Sequence, residues 1–265
     1  MNIFRRRIYE HLFEILFKMH KIETIERIYT KHKNVELKEL IFKVAIRICF
    51  DDNASETVKK SIRMICSDGN NKKLKLDDRE DIYYISQFSG NYELFSILKE
   101  FDLTVNWGLL LYYSCNFLQE TTIKFLVDNI HYSQKDIDHA FCAIITSSVA
   151  AGTNNPDQKK LISFFTKKFN PDVNQELDDD FGYLYFECFW RIPDSACEFY
   201  TDRFNIEIFE CKDFWKEMIS WLKSNEKNEY KKAFKDLKNS GLDISYIESV
   251  FAKEDKTALF EELTK

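Results

Sequence analysis

Hydrophobic residues along this 265-residue chain recur in short helical bursts rather than in strict alternation. Residues 81–106 read DIYYISQFSGNYELFSILKEFDLTVN: a short apolar helix, a polar break, a second helix and an apolar residue in a loop. The same order returns in 109–129 (LLLYYSCNFLQETTIKFLVDN) and 161–174 (LISFFTKKFNPDVN), and more faintly in 196–208 (ACEFYTDRFNIEI) and 233–244 (AFKDLKNSGLDI). The loop residues Val35, Leu74, Val105, Tyr132, Val173, Ile208 and Ile244 are spaced 39, 31, 27, 41, 35 and 36 apart, a mean of about 35. Such a period predicts stacked helical hairpins, each burying its apolar side against its neighbours.

The expected organisation is one domain over 1–265, because no Ser-, Gly- or Pro-rich linker interrupts it. Residues 1–36 form an N-terminal capping unit with an outer face rich in charge, 37–244 the repeats, and 245–265 a closing cap. Asp52 and Ser55 offer N-cap chemistry to the second helix of the 37–65 unit, and Pro193 breaks the chain between Trp190 and the helix that follows.

Several segments carry a family likeness. Gly90-Asn91-Tyr92-Glu93-Leu94-Phe95-Ser96-Ile97-Leu98-Lys99-Glu100 resembles the second helix of an ankyrin repeat, and Thr122–Asn129 repeats it one unit later. Pro171-Asp172-Val173-Asn174 and Gly241-Leu242-Asp243-Ile244 are similar to the stretch that closes an ankyrin unit. Ser86-Gln87 and Ser114-Cys115 stand where that family carries a small pair, letting adjacent first helices approach. The family's T-P-L-H opening is nowhere intact, and only Asn106, Trp107 and Gly108 separate Val105 from Leu109, leaving little room for a β-hairpin finger. The resemblance implies an all-α, divergent ankyrin-like α-solenoid of about seven to eight helix-turn-helix units with short or absent fingers.

Composition narrows the class. With 6 Gly and 3 Pro, turn-rich all-β folds and glycine-rich phosphate loops are largely excluded. Charge is uneven: residues 1–76 carry 17 Lys+Arg against 10 Asp+Glu, whereas the whole chain has a net charge of −6. A basic end suits nucleic acid, anionic lipid or an acidic protein, or simply solvates helix faces. Seven cysteines stand singly without a CxxC pair and read as small buried hydrophobes of a reducing, cytoplasmic compartment. No apolar run approaches the length of a membrane span.

Candidate chemistry is sparse. The five histidines share no HExxH or HxxxH spacing, and no GxSxG elbow occurs. The acidic run Glu176–Asp180 lacks an EF-hand's alternation and glycine, and reads instead as favouring a helix N-terminus. No cofactor, metal or catalytic residue is expected. In the ankyrin-like register Tyr83, Ile85, Phe95, Leu98, Phe164, Phe165, Phe199 and Phe234 are core. Phe88, Phe117, Phe189 and Trp190 follow the small pair and face the concave groove, with Trp107 at the shortened finger. Aromatic side chains there suit partner anchors; a register shifted by one would make them core as well.

The resemblance then implies a non-catalytic, cytoplasmic protein-interaction module, monomeric or bound to its partner. A role as an effector of an intracellular bacterium or virus, acting on a host protein, fits the Lys-, Asn- and Ile-heavy vocabulary. The alternative is a helical-repeat protein that binds or acts on nucleic acid through Arg5–Arg7 and Lys72, Lys73 and Lys75.

Overall fold

Short helices separated by tight turns dominate the computed structural model, which describes residues 3–32, 34–48, 55–69, 71, 74–87, 92–147, 149–150, 154–177, 183–199, 203–222 and 228–265. The fold is mostly helical, 74% helix among the described residues with little strand, as the hydrophobic periodicity requires. The chain divides into two compact units, Met1–Tyr132 and Ser133–Lys265.

The first unit opens with α1 (Ile3–Lys18), α2 (Ile22–Lys31), α3 (Val35–Ile48) and α4 (Ser55–Ser67). Strand β1 (Lys75–Leu76) leads into α5 (Arg79–Ser86) and α6 (Tyr92–Glu100), and β2 (Thr104–Val105) into α7 (Trp107–Asn116) and α8 (Glu120–Asn129). Helix α1 packs on α3, α3 on α5 and α5 on α7; separately, α2 packs on α4, α4 on α6 and α6 on α8. The strands pair in parallel, Lys75 opposite Thr104 and Leu76 opposite Val105, so equivalent loops of successive hairpins are tied by backbone. Ser86, Ser114 and Cys115 are fully buried, consistent with small residues where α5 and α7 approach.

The second unit comprises α9 (Gln134–Ile145), α10 (Pro156–Lys168), α11 (Leu184–Arg191), 3₁₀ turns at Pro193–Phe199 and Ile206–Glu210, and α12 (Lys212–Leu222) to α15 (Thr257–Leu263). Between these last two lie α13 (Asn228–Asn239) and α14 (Ser245–Lys253). Helix α9 packs on α10 and α11, α12 on α14, and α13 on both the first 3₁₀ turn and α15. Pro193 does end α11, and the segment after it winds as 3₁₀ rather than α. Its core is a continuous aromatic cluster: Phe186 stacks on Phe214 at 4.2 Å, and Phe189 meets Trp215 at 5.4 Å and Phe234 at 5.3 Å.

Helix ends share one device. His20, Asp102, Leu118 and Asp255 adopt φ of 54°, 49°, 54° and 55°, each two residues beyond the last helical position, where Gly69 and Gly241 serve elsewhere. A left-handed residue at that place lets amides reach back to orphan carbonyls of the last turn. N-termini are capped by side chains: Asp78 accepts from the Glu80 and Asp81 amides, Asn155 from Asp157 and Gln158, and Ser133 with Asp136 forms a capping box. The cap chemistry expected of Asp52 and Ser55 lies outside the described residues and side chains.

Two core assignments need correction. Phe164 is half-buried rather than core. Tyr83 is not core but 37% exposed, because α5 buries Asp81, Ile82, Ile85 and Ser86; Tyr83 and Ile85 are two apart and cannot share one face of a helix. The capping helix α1 carries exposed charge at Arg5, Arg6, Arg7 and Lys18, and beside it exposed Phe4, Ile8, Ile15 and Met19 on the helix or at its end.

Candidate functional site

The residues proposed as partner anchors separate into different environments. Phe189 is fully buried, which corrects its assignment to a groove: Leu184 through Phe189 are all buried, so this stretch of α11 is enclosed on every side up to Trp190. Trp190 is half-buried and its ring lies 5.3 Å from Trp221, while the Tyr230 hydroxyl donates to the Trp190 carbonyl at 2.7 Å. Trp107 and Phe117 are both half-buried but stand at opposite ends of α7, about 15 Å apart along the axis. Phe88 lies outside the described residues.

Around Phe117 the first unit gathers an aromatic patch. Tyr83 contacts Phe117 and Tyr113 at 5.2 Å each, both edge-on, and Tyr84 at 5.7 Å; Tyr112 meets Tyr113 at 5.2 Å. These edge-to-face geometries fix the rings against one another before any partner arrives. Tyr83 and Tyr84 are exposed, Tyr112 and Phe117 half-buried, and Tyr113 is buried with its hydroxyl accepting from Arg79 Nε at 2.6 Å. Arg47 reaches Asp81 at 3.4 Å along the rim. A separate cavity of about 240 Å³ is lined by Glu39, Phe42, Lys43, Lys75, Asp77, Asp78 and Asp81. The ring faces stand beside hydroxyls and the Arg79 guanidinium. Sequence reasoning reached Phe117 but missed Tyr83, Tyr84 and Tyr112. The signal was present in the spacing of Ile82, Ile85 and Ser86, which turns residues 83 and 84 outward.

A second polar cluster is structural. Lys38, 3% exposed, donates from Nζ to Asp68 Oδ1 at 2.6 Å, to Asn71 Oδ1 at 2.9 Å and to the Gly69 carbonyl. All three ammonium protons are used, and Tyr29 donates to the other Asp68 oxygen. Burial, with Asp68 beside it, holds the Tyr29 hydroxyl well above its ordinary range, and burial pushes the Cys66 thiol up to about 12. Together these groups tie α2, α3 and α4 to the loop at Gly69, where φ is +77°.

Cys66, Cys115 and Cys188 are buried, as expected of small hydrophobes, while Cys142 and Cys211 are half-buried; Cys49 and the Cys197 side chain lie outside the described residues and side chains. Among the described residues no group of three or more His, Cys, Asp or Glu could hold a metal ion. Asp180-Phe181-Gly182 spells the kinase metal-binding triplet without an HRD loop anywhere in the chain, and lies outside the described residues together with Asp178 and Asp179 of the acidic run. Of the lysine-rich loop, Lys72 and Lys73 lie outside it too. The chain matches no protein-family model, no curated protein and no solved structure.

Proposed function

We propose that the chain is a non-catalytic protein-interaction module of the divergent ankyrin-like, helical-hairpin kind. Its partner docks on the face that α5 and α7 present around Tyr83, Tyr84, Tyr112 and Phe117. The observation that carries this reading is the aromatic patch itself, exposed on helices whose opposite faces are fully occupied by core. Interface anchors are enriched in such rings, with a charged rim that sets orientation and on-rate. The hairpin-array part of the reading is supported by the two runs of helix contacts in the first unit. It is supported also by ties between residues one period apart: Gln119 to Gln87 (32 positions), Arg79 to Tyr113 (34), Asp172 to Asp138 (34) and Asn205 to Asn174 (31).

Affinity capture with the intact chain from lysate, with and without nuclease and with mass spectrometry of the eluate, tests the function. The expected result is a protein whose recovery survives nuclease treatment. Recovery of nucleic acid alone, with steep loss on added salt, would overturn it in favour of phosphate binding through the basic end.

A further inference from the structure

We propose that α1 docks the protein on the surface of a membrane containing anionic lipid. Phe4, Ile8 and Ile15 are 73%, 53% and 41% exposed, and Met19, just past the last turn, is 56% exposed. At about 100° per residue these four fall within an arc of about 60°, a stripe along the helix with exposed His11 at its edge between Ile8 and Ile15. The opposite side of α1 is already used: Phe13 and Phe17 are fully buried, and Leu16 is buried with them. A helix apolar on both sides has one face for its own fold and one for something else.

The charges beside the stripe identify that occupant. On the same helical wheel Arg5 flanks one side, and Arg7 and Lys18 flank the other. Glu10 and Glu14 turn further away, Glu10 lying 3.9 Å from Arg6 and Glu14 3.7 Å from His11. If the stripe faces the acyl region, the flanking positions sit at head-group level, and the ionised ones nearest the stripe, Arg5, Arg7 and Lys18, are cationic, with Glu14 about 20° beyond Arg7. That is the arrangement of an interfacial helix on anionic lipid. A cavity of about 600 Å³ shares Ile8 with the stripe and is lined also by Arg5, Tyr9, His32, Asn34, Glu36 and Leu37. Pairing with a second copy would set like basic flanks against each other, and nucleic acid would leave the apolar stripe without a role. Among the described residues no helix is long and apolar enough to cross a membrane, so the mode is adsorption rather than insertion across it.

The test is flotation of the intact protein with phosphatidylcholine vesicles, with and without phosphatidylserine. The protein is expected to float only with phosphatidylserine present and to be released by added salt. The exposed-site double variant Phe4→Ser/Ile8→Ser should keep its circular dichroism and lose vesicle binding. Arg7→Gln and Lys18→Gln should each weaken binding about fivefold, the loss corresponding to about 1 kcal/mol per charge at an anionic surface. Glu10→Gln should bind as the natural protein does. Equal flotation with phosphatidylcholine alone, or binding unchanged in Phe4→Ser/Ile8→Ser, would overturn the proposal. So would absence of flotation accompanied by α1-dependent capture of an acidic amphipathic peptide.

Discussion

Two phenylalanines show how differently one residue type is used. Phe189 sits among Tyr185, Phe214, Trp215, Tyr230 and Phe234, with no exposed surface, so Phe189→Ala empties a volume that surrounding rings cannot collapse into. Its expected cost is about 3–5 kcal/mol in chemical denaturation. Phe117 is half-buried at the end of α7, and Phe117→Ala should cost about 1 kcal/mol, within the ordinary range for a partly covered side chain. Equal losses for the two would contradict the placement of Phe117 at the surface. The sequence alone could not separate them, because both follow a run of aromatic and small residues, and burial is decided by how many sides of the helix are covered. Where the helix period was respected the distinction was legible, as for Ile85, Phe95 and Leu98, all buried; pairing Tyr83 with Ile85 ignored it.

Titration is a property of single residues too. Cys66 ordinarily ionises at 9.0 and in the fold is held up to about 12, with Tyr29 raised as well. A raised pKa means stability fully present below the unfolded value and lost as pH climbs through the interval, since the unfolded chain there binds fewer protons. Urea midpoints should therefore fall progressively from pH 9 upward, and the fall should be shallower in Cys66→Ala. A flat alkaline profile, or one unchanged by the substitution, would contradict the burial of the thiol.

At the level of elements, the chain ends helices with left-handed residues and uses glycine for few of them. Gly241 has φ +80° and open space where a Cβ would stand, so it is needed there for its conformation alone. Gly241→Ala is expected to lower stability by about 1 kcal/mol, read from the thermal midpoint, because only the backbone penalty is introduced. No loss would show that the turn relaxes to a right-handed conformation. Helix ends marked by Gly241 were readable from sequence. Those at His20, Asp102 and Asp255 were only weakly signalled, since Asp and His tolerate a positive φ without requiring it, and Leu118 gave no signal. The loop residues chosen for the period fared better: Leu74, Val173 and Ile208 are buried, and Val35, Val105, Tyr132 and Ile244 half-buried. Their role is to seal the hairpin ends, and such a role imposes apolarity that a sequence displays.

For the molecule as a whole, composition already pointed to helices, and 74% helix agrees. The candidate site was legible only in part. One anchor, Phe117, lies in the aromatic patch, while Tyr83 and Tyr84 come from α5, whose outward face follows from the spacing of Ile82, Ile85 and Ser86. The aromatic patch is expected to bind a partner without being needed for folding. The direct measurement compares the natural protein with Tyr83→Ala/Phe117→Ala in affinity capture, with thermal unfolding of both recorded alongside. The account predicts that the captured protein is lost from the variant while its unfolding stays cooperative and its midpoint shifts only modestly. Capture of the same protein in undiminished yield by a folded variant would contradict it.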